Sequence, residues 1–297
     1  MKKVLCVGQV AYDVTLLVEE YPIENKKMRM KQRVECAGGS AFNSAYLLAS
    51  WQVDTTFLGT IGNDFYGSQI RKEAEEIHLP CYFHQLDSFT TTSYIIANVS
   101  NGSRTILTHK NPDAFYRAKE PKEEYDMLVL DSNELEFSLR MLEKYPNAIS
   151  VLDAGKMCDE VLTLGLKVDY FVCSKDFAEK FTHLSLNTLE NCKRAYEQIQ
   201  SYFSNTVVIT LEEKGSFTKL ADYVLVPSIL VKPVDSTGAG DIHHGAFAYF
   251  ILQGYPLLKA MRYANVAGAL SVEHVGSKAS QPSLQGVIEV GNDDAFL

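Results

Sequence analysis

The string VDSTGAGD at residues 234–241 separates a β-like run from an apolar segment that predicts a helix over residues 239–252. Glycine on either side of Ala239 lets the backbone turn tightly and leaves no side chain to keep a ligand away. The unpaired N–H groups of Gly238, Ala239 and Gly240 then converge at the start of the helix, where the helix dipole favours negative charge. The string therefore predicts an anion-binding turn.

Asp241 stands at the end of this turn, so its carboxylate can reach a hydroxyl group lying between it and a bound anion. An anion site beside a base is the minimum that phosphoryl transfer to an alcohol requires. A simpler reading is that Asp241 caps the helix and the glycines only turn a loop, since glycine-rich turns are common. The turn by itself leaves both readings open.

The composition describes one ordinary globular domain. The chain has 297 residues, 46% hydrophobic and 22% charged, which suits a single α/β core. A net charge of −9 argues against nucleic acid or an anionic membrane as a partner. The six cysteines form no Cys-x-x-Cys pair, so neither a zinc site nor a disulfide framework is indicated. No stretch approaches the roughly 18 apolar residues of a membrane span, and we expect a cytoplasmic protein.

From residue 126 onward, strand-like and helix-like segments alternate, which predicts βαβ units and a parallel sheet. Strands are predicted at 126–130, 149–153, 169–173 and 206–211, with a β-like run at 223–234. Helices are predicted at 134–144, 158–165, 174–182 and 188–203, and two helices, 239–252 and 256–273, close the chain. Two earlier polar segments, 14–35 and 91–109, predict a small separate sheet, the second as a hairpin with its turn at Asn101-Gly102.

The string DSTGAGD, with Gly245 four residues later, resembles the C-terminal signature of the ribokinase-like (PfkB) carbohydrate kinase family, Asp-Thr-x-Gly-Ala-Gly-Asp. The resemblance implies a three-layer α/β sandwich with a mostly parallel central sheet and a small β lid. Residues 1–297 would form one kinase domain, with the lid at about 14–35 and 91–109. It further implies that Asp241 is the catalytic base, that the amides of Gly238, Ala239, Gly240 and Asp241 form the anion hole, and that Asp235 leads into the substrate site.

Other positions on the substrate side resemble the family as well. Asp13 stands where the family has a carboxylate that binds sugar hydroxyls, although an aspartate there also suits a turn. Gly38-Gly39 resembles the hinge between lid and core. Asn43 resembles a sugar-binding amide, and a helix cap is its alternative reading. Arg104 resembles a lid residue that approaches the acceptor, and a solvated strand arginine is the alternative.

On the nucleotide side, Thr210 to Gly215 resembles the family loop Thr-Leu-Gly-x-x-Gly, but Glu212 replaces the first glycine. Close approach of the backbone to the nucleotide is therefore in doubt at Glu212. Asn265 falls where the family contacts adenine and ribose. Gly276 and Pro282-Ser283 resemble a tail that in some members helps to build a monovalent-cation site.

The family's Asn-x-x-Glu motif, which is tied to magnesium and phosphate, is altered in this chain. Ser174 takes the place of the Asn and Phe177 that of the Glu, and neither can replace a carboxylate near Mg²⁺. Asp176 or Glu179 could act from a neighbouring position, or nucleotide phosphates and water could hold the metal alone. The metal ligands stay unknown. The pair His243-His244 suggests helix packing, because adjacent helical residues diverge too far to chelate one ion.

The resemblance implies an ATP-dependent sugar kinase that transfers the γ-phosphate of ATP to a hydroxymethyl group with the help of Mg²⁺. Two alternatives stay open. One is a nucleoside kinase on the same scaffold, and the other is a non-catalytic sugar-binding relative in which the altered Asn-x-x-Glu motif marks lost turnover. The retained Asp241 argues against the second, because a binding protein needs no base. The lid is also a candidate surface for pairing with a second copy of the chain.

Overall fold

The computed structural model describes residues 2–276 and 278–293, and its centre is a nine-stranded sheet in the order β13-β12-β11-β10-β9-β8-β1-β4-β5. Its strands, numbered in chain order, are β1 (Lys3–Val7), β4 (Asp54–Gly62), β5 (Cys81–Leu86), β8 (Met127–Leu130), β9 (Ile149–Ala154), β10 (Tyr170–Ser174), β11 (Thr206–Thr210), β12 (Ser216–Lys219) and β13 (Tyr223–Val226). The strands from β11 to β5 run parallel, and β12 and β13 add an antiparallel edge. The apolar runs of β1 and β8 are buried on both faces, as parallel strands require.

Helices cover both faces of this sheet. They are α1 (Ser40–Ser50), α2 (Phe65–Glu76), α3 (Leu135–Lys144), α4 (Asp159–Gly165), α5 (Lys175–Thr182), α6 (Leu189–Tyr202), α7 (Ala239–Leu252), α8 (Leu257–Ser271) and α9 (Leu284–Gly291). One hydrophobic core joins the sheet to α1, α2 and α7 to α9, and a second core joins the opposite face to α3 through α6. The predicted three-layer α/β sandwich is confirmed.

A separate four-stranded sheet, here called the small sheet, has the order β3-β2-β6-β7. It comprises β2 (Ala11–Val18), β3 (Gln32–Gly38), β6 (Thr92–Asn98) and β7 (Arg104–His109). The pairs β2–β3 and β6–β7 are antiparallel, whereas β2 and β6 run parallel. The hairpin predicted at Asn101-Gly102 is confirmed, with Gly102 at φ 72° in the turn. Strand β7 forms one edge and is exposed along its whole length.

Some boundaries differ from the sequence-based expectation. Strand β2 starts at Ala11 and is mostly buried, and residues 19–31 contain no strand, so the first polar segment is not a pair of solvated strands. The β-like run at 223–234 is a strand only up to Val226, because the following Pro227 has no N–H to continue a ladder. The prediction that two helices close the chain was wrong, since α9 follows α8.

None of the six cysteines, all of which lie in the described part of the chain, forms a disulfide. No helix within residues 2–276 and 278–293 combines the length and the apolar character that crossing a membrane requires.

The order of the strands fixes where a ligand site belongs. After β1 the chain continues to β4 on one side, and it later returns to β8 on the other side of β1. The loops after β1 and β8 therefore diverge and leave a crevice at the carboxyl end of the sheet, where open α/β folds bind their ligands. Gln9 follows β1, Asp131 follows β8, and the small sheet begins two residues after Gln9.

Candidate active site

A cavity of about 380 Å³ lies at the carboxyl ends of the main-sheet strands and is bounded on one side by the small sheet. Many of the residues singled out in the sequence line it together: Asp13, Gly39, Asn43, Arg104, Ser174, Thr210, Gly238, Gly240 and Asp241. They come from both sheets and from the starts of α1 and α7, so the fold gathers positions that are far apart in the chain.

The glycine turn that the sequence predicts is present at the start of α7, and its binding of an anion stays a prediction. Gly238 is the N-cap in a left-handed conformation at φ 76°, and no side chain caps this terminus among the described residues. A β-carbon added to Gly240 would have no atom within 4 Å, so this side of the turn faces open space. The free amide end of α7 therefore points into the cavity, where it can receive an anion.

Asp241 does not cap α7. Its Oδ2 instead accepts a hydrogen bond of 2.7 Å from Asn43 Nδ2, and its backbone carbonyl accepts one of 2.9 Å from Ser44 Oγ. Desolvation raises the pKa of Asp241 most strongly, while hydrogen bonds from Asn43 and Ser40 lower it. A carboxylate with a raised pKa, placed beside an anion site, is suited to accept a proton from an alcohol. Asn43 orients that carboxylate rather than capping α1.

Asp13 lies in the wall of the same cavity and is buried. Its pKa is raised to about 7, first by burial and then by the charge of the neighbouring Asp241, while a hydrogen bond with Ser93 works against both. A β-carbon at Gly38 would lie 2.0 Å from the Asp13 carboxylate, so only glycine lets β3 pass this side chain. Gly39 follows at φ 101°, and a β-carbon there would lie 2.6 Å from the carbonyl oxygen of Gln9. The double glycine is required by the packing around Asp13.

Arg104 connects the small sheet to the motif that precedes α7. Its Nη1 donates a hydrogen bond to Ser236 Oγ, and that hydroxyl in turn donates to the carbonyl of Gly102 at 3.4 Å. The guanidinium is also close enough to Asp241 to lower the pKa of that carboxyl. Arg104 is thus placed between the turn of the hairpin and the anion site, and it is more than a solvated strand residue.

Asp235 is buried beneath the motif and does not line the cavity. Its Oδ1 accepts hydrogen bonds from Thr237 N at 2.9 Å and Thr237 Oγ1 at 2.6 Å. Its Oδ2 accepts one from Gly276 N at 3.1 Å. These bonds shape the turn that leads to Gly238. A direct part for Asp235 in substrate binding stays a prediction.

The residues predicted for the nucleotide lie at the ends of β10 and β11. Ser174 caps α5 by accepting a 3.0 Å hydrogen bond from Phe177 N, and it donates one to the carbonyl of Gly155. Thr210 lines the cavity. Glu212, which stands where the family has glycine, adopts a left-handed φ of 56°, and its Oε2 lies 3.0 Å from Lys175 Nζ. The backbone therefore keeps the glycine-like turn despite the side chain.

Gly215 and Asn265 lie near this loop but outside the cavity wall. Gly215 has φ 101° where the loop turns into β12. Asn265 is buried, donates to the carbonyl of Val226 at 2.9 Å and pairs with His243 Nε2 at 3.1 Å. Contacts between these two residues and a nucleotide stay predictions.

No carboxylate stands at the glutamate position of the altered Asn-x-x-Glu motif. Phe177 is fully buried, and its ring centroid lies 5.3 Å from that of Phe171 in the core beneath α5. Both neighbouring acids are engaged elsewhere: Asp176 pairs with Lys180 at 2.8 Å, and Glu179 Oε1 accepts from the backbone of Leu186 at 2.8 Å. Neither is placed as a substitute for the missing glutamate.

The sequence-based reading missed two other acids, Asp153 and Asp131. Asp153 is the last residue but one of β9 and lines the cavity, where burial and then the charge of Asp241 raise its pKa. Asp131 follows β8 and accepts hydrogen bonds from Gln9 N at 2.8 Å and Ala41 N at 3.3 Å, which fixes the loop after β1. A usable signal existed, since each aspartate closes or follows a predicted parallel strand at the ligand-binding edge.

The pair His243-His244 packs within the fold, as predicted. Both side chains are buried in α7, and burial lowers the pKa of His243 to about 4 and that of His244 to about 3. Both rings are therefore neutral at physiological pH. Within the described residues, no group of three or more histidine, cysteine, aspartate or glutamate side chains is arranged to hold a metal ion.

Comparison with known proteins decides the family. Residues 1–284 match the family described as pfkB family carbohydrate kinase. The chain belongs to this family. Its ribokinase-like fold is also found in the structure of Arabidopsis thaliana ribokinase complexed with ribose and ATP, with a TM-score of 0.79 and 20% identity over 98% of each chain.

The pfkB kinase described here also resembles curated proteins that differ in acceptor. It is 24% identical to the deoxyribokinase of Salmonella typhi, over 94% of this chain and 95% of that protein. It is 23% identical to the nucleoside kinase of Methanocaldococcus jannaschii, over 97% of this chain and 96% of that protein. The similarity spans nearly the whole of each chain but does not single out one acceptor.

The pKa of Asp13 leads to a prediction about stability. A carboxyl group whose pKa rises from 3.8 to about 7 on folding contributes stability that is fully present below pH 3.8 and is lost as the pH rises through 7. Asp13→Asn stays neutral at every pH. We expect the Tm of Asp13→Asn relative to wild type to increase between about pH 4 and pH 8.

Thermal unfolding across this pH range measures the difference. Asp87→Asn is the matched control, because Asp87 is exposed and its variant should track the wild type at every pH. A Tm difference for Asp13→Asn that does not change with pH would contradict the assigned titration.

Proposed function

We propose that this protein is an ATP-dependent sugar kinase that transfers the γ-phosphate of ATP to a hydroxymethyl group. The observation that carries the proposal is the position of Asp241, beside the uncapped amino end of α7 and held by Asn43 inside a closed-in cavity. Family membership over residues 1–284 and the ribose and ATP of the Arabidopsis relative support it.

Each part of the cavity has a task in this reaction. Asp13 and Asn43 present one carboxyl and one amide group to sugar hydroxyls, and Asp241 accepts the proton of the attacking hydroxyl. The amides at Gly238, Gly240 and Asp241 offset the negative charge of the phosphoryl group. The amide of Ala239, also predicted for the anion hole, instead donates to the carbonyl of Ser236 at 3.4 Å. Arg104 brings a positive charge from the small sheet to the same point. The carboxylate that removes the proton and the amides that stabilise the charge then lie about one hydroxyl group apart.

The small sheet acts as a lid in this proposal. Asp13, Ser93, Arg104 and Thr108 reach the cavity from its strands, so the sheet bounds the acceptor on one side. Excluding water at this point favours transfer to the sugar over hydrolysis. The double glycine at residues 38–39 joins β3 of the lid directly to α1 of the core. We also propose a cytoplasmic location, in keeping with six cysteines that form no disulfide among the described residues.

Magnesium fits this cavity at Asp153. Its carboxylate lines the cavity, accepts no hydrogen bond from the described residues, and faces the like charges of Asp241 and Asp131. A divalent cation would relieve that repulsion, and Mg²⁺ commonly binds to one or two carboxylates together with substrate phosphates. When bound, the metal neutralises charge on the phosphates. Asp153 would hold it, in place of the glutamate that Phe177 has replaced.

A monovalent-cation site remains part of the proposal. Its two candidate segments, the turn at Asp235 and the tail at Gly276, are in contact through the 3.1 Å hydrogen bond between them. The backbone of both segments is therefore available at one place, as such a site requires.

The nucleoside kinase alternative draws on the M. jannaschii relative. A panel of ribose, deoxyribose, ketoses, sugar acids and nucleosides with Mg-ATP, followed by release of ADP, separates the two. Turnover with nucleosides alone would replace the sugar kinase proposal. Absence of turnover with every acceptor would favour a non-catalytic binding protein.

The first prediction concerns the base. Asp241→Asn keeps the size of the side chain but cannot take a proton, so turnover should fall by at least about 100-fold. Affinity for ATP should change little, because the anion turn does not depend on the carboxylate. The Tm should not fall, because the variant removes a buried charge that burial disfavours. Steady-state kinetics and calorimetric titration with ATP measure these quantities. Near-normal turnover in this variant would contradict the mechanism.

Gly240→Ala tests the anion turn separately. The added methyl group has room in the fold, since nothing lies within 4 Å, but it occupies the space that a phosphate would use. We expect wild-type stability together with weaker ATP binding. Unchanged affinity would place the phosphates elsewhere.

The second prediction concerns Mg²⁺. Asp153→Asn should raise the free Mg²⁺ needed for half-maximal rate by about tenfold or more. Binding of Mn²⁺ in the presence of ADP, followed by electron paramagnetic resonance, should weaken in parallel. Asp176→Asn is the control, because Asp176 is exposed and paired with Lys180. Equal Mn²⁺ binding in wild type and Asp153→Asn would move the metal away from Asp153.

The third prediction concerns a homodimer formed through the lid. Edge strand β7 leaves its outer backbone groups unpaired, and Leu107 and its cross-strand partner Tyr94 are 57% and 40% exposed. Light scattering should give wild type a mass twice 33.2 kDa, and Leu107→Lys should give the single-chain mass. Leu166→Lys, at the exposed leucine that follows α4, should stay dimeric. A monomeric wild type would contradict pairing.

A further inference from the structure

A buried carboxylate outside the cavity, Glu73, connects α2 to the lid. It is only 8% exposed, and its Oε1 accepts a 3.2 Å hydrogen bond from the backbone N–H of Ala37, the residue before the double glycine. Its Oε2 lies 3.6 Å from Lys278 Nζ. Burial raises the pKa of Glu73 and Lys278 lowers it. A buried charge is costly unless a partner holds it, so Glu73 and Lys278 depend on each other.

Lys278 belongs to a short turn that is fixed to the anion-hole motif. Ser280 N donates to the carbonyl of Gly276 at 3.1 Å, and Gly276 N donates to Asp235 Oδ2 at 3.1 Å. Asp235 holds Thr237 through its other oxygen. A second carboxylate, Glu76, pairs with Lys278 at 2.7 Å from the surface side. Lys278 therefore stands two positions along the chain from Gly276, the glycine that bonds Asp235 of the motif.

The same turn also lies against the lid strand. Gly276 has φ 77°, and a β-carbon there would lie 3.2 Å from Val34 Cγ1 and 3.6 Å from Cys36 Sγ, both on β3. Strand β3 thus meets the tail in two ways: through packing at Gly276 and through the polar connection from Ala37 to Glu73 and Lys278. Neither Glu73 nor Lys278 lines the cavity, so neither can touch a substrate there.

We propose that Glu73 and Lys278 are positioning residues that couple the hinge end of the lid to the anion hole. The connection runs from Ala37 through Glu73 and Lys278 to Gly276 and Asp235, and each non-covalent step spans 3.6 Å or less. A phosphate that orders the anion hole then also orders β3, and the lid is set for the acceptor. This inference rests on the proposed function, because it takes the turn at Gly238 as the nucleotide phosphate site.

The test adds a ligand for the anion hole and measures the response in strand β3. Hydrogen exchange of backbone amides in residues 32–38 is measured with and without AMP-PNP and Mg²⁺. In wild type the ligand should slow exchange in β3 by about fivefold or more, the lower end of usual coupling between sites. Glu73→Gln keeps an acceptor for the Ala37 N–H but loses the ion pair, and Lys278→Met loses the charge. Both variants should lose most of the ligand-induced slowing.

Two control variants distinguish coupling between the anion hole and β3 from a purely structural role of the Glu73–Lys278 pair. Glu76→Gln removes the other partner of Lys278 and leaves Glu73 in place, so it should keep the wild-type response. Lys278→Arg restores the charge and should recover the response. A purely structural pair would raise exchange in β3 equally with and without AMP-PNP, and that result would overturn the proposal. If Glu73→Gln does not fold, Lys278→Met gives the same test at a half-exposed side chain.

The result that would contradict the coupling differs from the result that would contradict the proposed function. AMP-PNP that binds wild type without slowing exchange in β3 would overturn the coupling alone. AMP-PNP that does not bind wild type at all would overturn the proposed function and the coupling with it. A double variant, Glu73→Gln with Lys278→Met, should be no more affected than either single variant, because both remove the same interaction. Additive losses would show that the two residues act independently.

Discussion

The close approach of α1 to α7 determines where the chemistry of this kinase can take place. A β-carbon at Gly245 would lie 3.1 Å from Ser44 Cα, so glycine at this position lets the two helices meet. Ser44 then bonds the backbone of Asp241, and Asn43 bonds its carboxylate. The proposed base is thereby held by two consecutive residues of another helix. Its position depends on helix packing as well as on the loop before it.

Four carboxylates gather around this contact, and their pKa values are all raised. Asp13, Asp131, Asp153 and Asp241 come from different strands and helices, and desolvation is the largest cause for each. Packing acids together costs stability in the ligand-free protein, a cost that functional sites often carry. Asp131 offsets part of it through backbone hydrogen bonds. The other three face the cavity, where a cation and sugar hydroxyls would offset theirs.

The sequence was most informative for features that depend on residues close together in the chain. The anion turn, the hairpin at Asn101-Gly102 and the alternating strands and helices each depend on neighbouring residues, and all were predictable. Contacts between distant segments were not. Asn43 could be read as a cap or a sugar ligand, yet its partner is Asp241, almost two hundred positions away. Nothing short-range identified Glu73, because an acidic residue on an amphipathic helix usually faces solvent.

The two departures from the family pattern on the nucleotide side meet in space. Lys175 belongs to the altered Asn-x-x-Glu segment, Glu212 replaces the glycine of the next loop, and their side chains form an ion pair of 3.0 Å. A glutamate facing phosphates would repel them unless a cation accompanied it, and Lys175 supplies that cation. The surroundings of Phe177 are also unsuited to the usual glutamate, since a carboxylate there would be buried among aromatic rings without a partner. Replacing Glu212 or Phe177 alone by the usual residue of the family would therefore remove the contacts that each side chain now makes. Because the glutamate of the family motif is lost at Phe177, the proposal assigns magnesium to Asp153, which lies on β9 next to the strand that leads into the altered motif.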